Sequence, residues 1–173
     1  MSEQKETQNG DGVLQEKNLS DEIQIKFFNT LIGKLHKGIS QLSGEDQKVM
    51  LKKHAEASVE VLLDVLALMS GQDPRSFDVD EMIKNHEMIE KQFAKGNVSI
   101  TRQGNIITWS SSGCYDPKIE SKVIEPYPAY CNQCYKYFFK GLYEIAHKGP
   151  VKVKGLKSAL HGDGQCLNRI ELL

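Results

Sequence analysis

No uninterrupted apolar run in this 173-residue sequence approaches the ~18 residues that a membrane-spanning helix needs. No membrane partner is therefore expected. The first 18 residues are polar, with Val13 and Leu14 as the sizeable apolar groups. They lack the apolar core of a secretory signal. A surplus of either charge is also missing, because 22 basic side chains face 23 acidic ones. Nucleic-acid binding draws on clustered excess positive charge, so no nucleic-acid partner is expected. Several signatures are absent from the sequence: GxxxxGK[ST], GxGxxG after a strand, HExxH, GxSxG and the kinase set. Phosphate-loop, zincin and serine-hydrolase chemistry therefore have no motif to rest on. A cytoplasmic location is the default. There, the four cysteines point to metal binding, redox chemistry or burial more than to disulfides.

What remains is an ordinary globular composition, 39% hydrophobic and 26% charged, which suits a single packed domain. Residues 1–18 hold too little apolar surface to offset the entropy of ordering and read as a flexible tail. Residues 19–173 read as one domain with no internal repeat.

Helical periodicity opens that domain. Ser20 is a capping residue, with Asp21 and Glu22 suited to a helix N-terminus. Ile23, Phe27, Leu31 and Leu35 then recur at helical spacing and predict a core-facing stripe. A second helix is expected from about residue 45 to 69. Its stripe is Met50, Ala57, Val61, Val65 and Leu68, widened by Leu62 and Leu66, and it includes His54. A third helix, capped by Asp78, is expected from about 79 to 94. The period then changes to two. Residues 98–102 and 105–110 flank Gln103-Gly104 and predict a β-hairpin. After an irregular proline-containing stretch from 111 to 129, a fourth helix is expected over about 130–147. Strands at 151–156 and 166–172 follow, with His161-Gly162-Asp163-Gly164 as the turn between them. The expected fold class is α+β, with helices packed on a small, mostly antiparallel sheet in the order ααα-ββ-α-ββ.

The candidate chemistry sits in the C-terminal half. Cys131 and Cys134 stand three apart at a helix start, where two thiolates on one face can chelate one ion. Cys114, Cys166 and His161 are the further metal-ligand candidates, with Glu120 and Glu125 as oxygen donors. Three or four such groups would select zinc. If a cysteine hydrolyses a substrate, Cys114, in a loop beside Gly113, is the candidate nucleophile. The dense aromatic run Tyr127, Tyr130, Tyr135, Tyr137, Phe138, Phe139 and Tyr143 reads as core packing or as the wall of a pocket. His54, Tyr130 and Tyr137 are the candidate contacts for a small apolar or planar ligand. His36, His86 and His147 lie among charged neighbours and are expected in solvent. Lys148, Lys152, Lys154 and Lys157 are expected on the wet face of a strand.

Four segments together resemble one superfamily: Gly113-Cys114-Tyr115-Asp116-Pro117, Pro128-Ala129-Tyr130-Cys131-Asn132-Gln133-Cys134, Gly149-Pro150-Val151 and Ser158 to Cys166. It comprises the 4-vinyl reductase domain, the methanogen output domain and 2-amino-thiazoline-4-carboxylate hydrolase-like proteins. The final cysteine is followed by Leu167 and Asn168, where the pattern carries an aromatic. The resemblance implies a small α+β ligand-binding fold enclosing a pocket, in some relatives beside a structural zinc held by cysteines. The expected function is a cytosolic small-molecule sensor or regulator with a cysteine-rich zinc site. The alternative is a hydrolase of small thiazoline-like or amide substrates. The sequence leaves the oligomeric state open, a homodimer included.

Overall fold

The computed structural model describes residues 21–93, 98–114, 119 and 122–173, and the expected tail lies outside them. Three helices come first: α1 (Asp21–Gln41), α2 (Gly44–Ser70) and α3 (Val79–Phe93). Strands β1 (Val98–Gln103) and β2 (Ile106–Ser112) follow. A π-helical turn (Tyr130–Cys134) runs into α4 (Tyr135–His147), and β3 (Val151–Lys157) and β4 (Gln165–Leu172) close the chain. The four strands form one sheet in the order β1-β2-β4-β3, with each neighbouring pair antiparallel. The expected α+β architecture is the one observed.

Local chemistry sets the boundaries. Asp78 caps α3, its Oδ1 accepting the Asp80 and Glu81 amides at 2.9 Å, while Glu81 Oε2 accepts the Asp78 amide at 3.0 Å. This reciprocal pair satisfies amides that the first helical turn leaves without partners. α2 ends at Gly71, whose φ of 68° lets its N–H turn back to the Ala67 carbonyl. Only glycine adopts that left-handed geometry without steric cost.

The sheet alternates buried and exposed residues. Val98, Ile100, Ile107, Trp109, Val151, Val153, Ile170 and Leu172 face the helices. Ser99, Thr101, Lys152 and Lys154 face outward. Lys152 and Lys154 are on the wet face, as the alternation predicts, while Lys148 caps the C-terminus of α4. Val59, Leu63 and Leu66 of α2, Met82 and Ile89 of α3, and Phe139 and Leu142 of α4 complete the main core. A second cluster joins Ile39 of α1 to Leu51 and Ala55 of α2, and to Ile124, Tyr130 and Cys134.

Two sequence expectations are corrected here. The stripe Ile23, Phe27, Leu31, Leu35 is exposed, as are Met50, Ala57, Val61 and Leu68 of α2. α1 instead turns His36 and Ile39 inward, with Ile32 beside them. It is apolar on more than one side, so its periodicity marks a stripe without marking which side meets the core. His36 and His86 are not in solvent: they are 1% and 0% exposed. Residues adjacent in sequence point about 100° apart around a helix, so charged neighbours say little about a histidine's own surroundings.

His86 is held from both sides. Its Nε2 lies 2.8 Å from Glu90 Oε1 and its Nδ1 lies 3.2 Å from Tyr143 Oη. This network fastens α3 to α4. Beside it, Glu87 accepts the Ile100 amide at 3.0 Å, and Asp80 pairs with Arg102 at 2.9 Å. Both tie α3 to the outer strand β1.

Burial first, and then the carboxylates of Glu90 and Glu87, hold the Tyr143 hydroxyl well above its ordinary value of 10.0. Above pH 10 the unfolded chain therefore releases a proton that the folded chain keeps. The contribution of Tyr143 is fully present below pH 10, and stability falls as pH rises, by about 1.4 kcal/mol per pH unit from this group. Urea midpoints measured from pH 9 to 11.5 should show that descent, and Tyr143→Phe should reduce its slope. A profile flat to pH 11.5 contradicts it.

Candidate functional site

β3 reads Val-Lys-Val-Lys-Gly-Leu-Lys, an alternation interrupted by Gly155. The register with β4 shifts at this point, between Gly155 and Lys157. A glycine and a bulge together remove a side chain from the helix-facing side and bend the strand away. The gap they leave is a cavity of about 380 Å³, within the size range of small-ligand pockets.

The sheet lays its floor with Trp109, Gly155, Cys166 and Asn168. These residues occupy neighbouring rungs: Trp109 pairs with Asn168 and Asn168 with Gly155, while Ser111 pairs with Cys166. The π-helical turn and the start of α4 contribute Cys131, Tyr135 and Lys136. The β3–β4 connection closes the side with Ser158, His161 and Asp163. That connection is braced from within. Asp163 accepts the Ser158 amide at 2.7 Å, and the Ala159 amide donates to Cys166 Sγ at 3.4 Å. Trp109 is oriented by stacking, its ring 5.3 Å from that of Phe139 and 6.3 Å from that of Tyr135.

The electrostatics of the opening are one-sided. Lys136 and Lys157 line it with His161, against the single carboxylate of Asp163, whose oxygen already serves the Ser158 amide. The arrangement offers an apolar, aromatic interior beneath a cationic rim.

Cys131 and Cys166 line the cavity. Cys134 is buried in the second core cluster. Cys131, on the same π-helical turn, packs against that cluster as well. Cys114 follows Gly113 at the end of β2, where the Gly113 amide donates to the Gly164 carbonyl at 3.1 Å. It is half-buried and is not among the residues lining this cavity. His161 is exposed at the cavity wall. Glu125 is exposed, and Glu120 lies outside the described residues. Among the described residues, no three His, Cys, Asp or Glu side chains come close enough together to hold a metal ion.

The candidate ligand contacts His54, Tyr130 and Tyr137 lie elsewhere. Tyr130 is buried and Tyr137 packs against the second cluster. The His54 ring lies 4.5 Å from that of His36, which in turn lies 5.0 Å from Tyr130. His36 Nδ1 is 3.2 Å from Tyr127 Oη. Burial, followed by the nearby thiols of Cys134 and Cys131, pushes the Tyr127 hydroxyl well above the usual tyrosine range. These rings make an imidazole-aromatic joint between α1, α2 and the π-helical turn.

Tyr135 belongs to the aromatic run read as a possible pocket wall, whereas sequence reasoning missed Trp109, Lys136, Asn168 and the role of Gly155. The signal that marks the cavity is the glycine inside an alternating strand, followed by a turn that returns a cysteine.

No family model matches this chain, and no curated protein sequence matches it significantly. Among solved structures, the chain is similar to trafficking protein particle complex subunit 3 from Naegleria fowleri, a structure described as covalently bound to palmitic acid. The two share 17% sequence identity at a TM-score of 0.61, over 88% of this chain and 97% of the other. At that identity the likeness is one of fold. Among the described residues, no helix is long and apolar enough to cross a membrane.

Proposed function

We propose that this protein is a cytoplasmic small-molecule-binding domain of the sensor or regulatory kind, and that its ligand is an organic anion with an apolar or planar body. The observation that carries the reading is the cavity of about 380 Å³. Trp109 and Tyr135 supply flat apolar surface, and Lys136 and Lys157 supply the counter-charge for a carboxylate or similar group. The structural neighbour is described with palmitic acid bound, so that fatty acid is one member of the panel to test here.

Cys131, Cys166 and His161 are the donor types that zinc takes. A zinc centre would need these three to draw together. Ligand binding on the present reading is independent of it and should survive a chelator.

Thermal-shift screening tests the proposal with aromatic carboxylates and fatty acids, set against their neutral amides. An anion at about 100 times its Kd stabilises the fold by about 2.7 kcal/mol. At Gly155, an added Cβ would sit 3.6 Å from Asn168 Oδ1, an ordinary contact. Gly155→Leu therefore fills the cavity without forcing the backbone. At least one anion should raise the Tm of the natural protein in the presence of EDTA and fail to do so in Gly155→Leu. Equal stabilisation of both proteins, or of anions and amides alike, overturns the proposal, as does a panel with no stabilising member.

A further inference from the structure

α1 and α2 form an antiparallel hairpin joined at Leu42 and Ser43. They cross where the rings of His36 and His54 meet at 4.5 Å. Beside that crossing, each helix leaves an apolar stripe open. On α1 it is Phe27, Phe28, Leu31 and Leu35, each between 49% and 63% exposed. On α2 it is Met50, Val61 and Leu68, the last 86% exposed. Singly exposed apolar residues are ordinary, but this many on two helices that pack side by side mark an interaction site.

We propose that this two-helix face is the interface of a homodimer, in which the α1–α2 hairpin of one protomer packs on that of a second copy about a two-fold axis. Three observations favour a second copy over other occupants. The first is area. The open side chains of the two stripes, with Ile23 at the end of the first, amount to roughly 900 Å², against the ~800 Å² per partner of a standard stable interface. The second is charge. α1 and α2 together carry six lysines and seven acidic residues, and an anionic lipid surface attracts helices with a basic surplus. The third is the chain outside the described residues. Residues 1–20 hold only Val13, Leu14 and Leu19 as large branched apolar groups besides Met1, too few to cover seven exposed apolar side chains. Two-fold packing covers each stripe with its own equivalent, the self-complementary solution most homodimers use.

Sedimentation equilibrium of the full chain tests this, with Leu31→Glu/Val61→Glu as the disrupting variant. Both positions are exposed, 54% and 62%, so the protomer should keep its far-ultraviolet circular dichroism. The natural protein should sediment at twice its 19.5 kDa at 10–100 µM by loading, and the double variant as a folded monomer with self-association weakened at least a hundredfold. Lys52→Glu, on the same helix but off the stripe, should remain dimeric and serves as the charge control. A natural protein that is monomeric throughout that range overturns the proposal, whether or not it then cosediments with phosphatidylserine vesicles. So does a double variant that remains dimeric. Should the double variant lose its circular dichroism, Phe28→Ser/Leu68→Ser is read in the same way, with the same two outcomes.

Discussion

His86→Ala should lower unfolding free energy by about 3–5 kcal/mol, because it strips one partner from a buried, hydrogen-bonded pair and leaves the other enclosed. Glu90 is 5% exposed and loses its 2.8 Å partner at Nε2, and Tyr143 loses its 3.2 Å partner at Nδ1. A truncated imidazole also leaves a void between α3 and α4, where the rings of Phe138 and Phe139 pack 5.8 Å and 6.1 Å from it. Total stabilities of domains are about 5–15 kcal/mol, so this one change should remove a large share. In urea, the midpoint should fall by roughly 2 M at an unchanged slope of about 2 kcal/mol/M. A loss below ~1 kcal/mol would show that the network is dispensable to the α3–α4 contact. His86→Gln, which keeps polar atoms near both partners, should cost less than His86→Ala.

Trp109→Ala is the second large effect, at about 3–5 kcal/mol, the range for removing a buried aromatic from a packed core. Trp109 is 1% exposed and stacks on Phe139 and Tyr135. It has two roles at once: its ring fills the main core and its edge forms the cavity floor. Trp109→Phe keeps the stacking and should recover most of the stability while enlarging the cavity. Denaturant titration separates the two variants. Equal losses in both would mean that the stacking contributes little and that the indole's size alone matters at this position.

The legibility of the chain follows the range of the interactions involved. Elements built from local signals were readable. The Asp78–Glu81 cap, the hairpin around Gly104, and the stop at Gly149-Pro150 all depend on residues within a few positions of one another. Facing was harder to read. The α1 stripe of Ile23, Phe27, Leu31 and Leu35 was visible as a stripe, but its partner was not, because Ile32, His36 and Ile39 are apolar or aromatic on another side of the same helix. The two enclosed histidines were hidden by a related effect. Each has lysine or glutamate as its neighbour in sequence, yet the helix turns those neighbours away.

The site was readable only in parts. Cys131, Cys166 and His161 were singled out by residue type, and they do line one cavity. Cys131 and Cys134 stand on a π-helical turn where the start of an α-helix was expected, and both pack against the second core cluster. The π-helical turn over Tyr130–Cys134 depends on packing that no local spacing reports. The cavity itself arises because the β2–β4 and β3–β4 registers bring Trp109, Asn168 and Gly155 onto adjacent rungs. Those pairings span tens of residues, and a single strand's pattern does not encode them.

The most direct measurement uses the sole tryptophan of the chain, since Trp109 lies at the cavity floor. Its emission should be titrated with the anion that stabilises the protein most, in the natural protein and in Gly155→Leu. A ligand in the cavity predicts a saturable change in intensity or wavelength in the natural protein, with an apparent Kd matching the thermal shift. Gly155→Leu should weaken that Kd at least tenfold. An anion that stabilises the protein while leaving Trp109 emission unchanged, or that binds both proteins with equal affinity, would contradict the account, because its site would then lie elsewhere on the molecule.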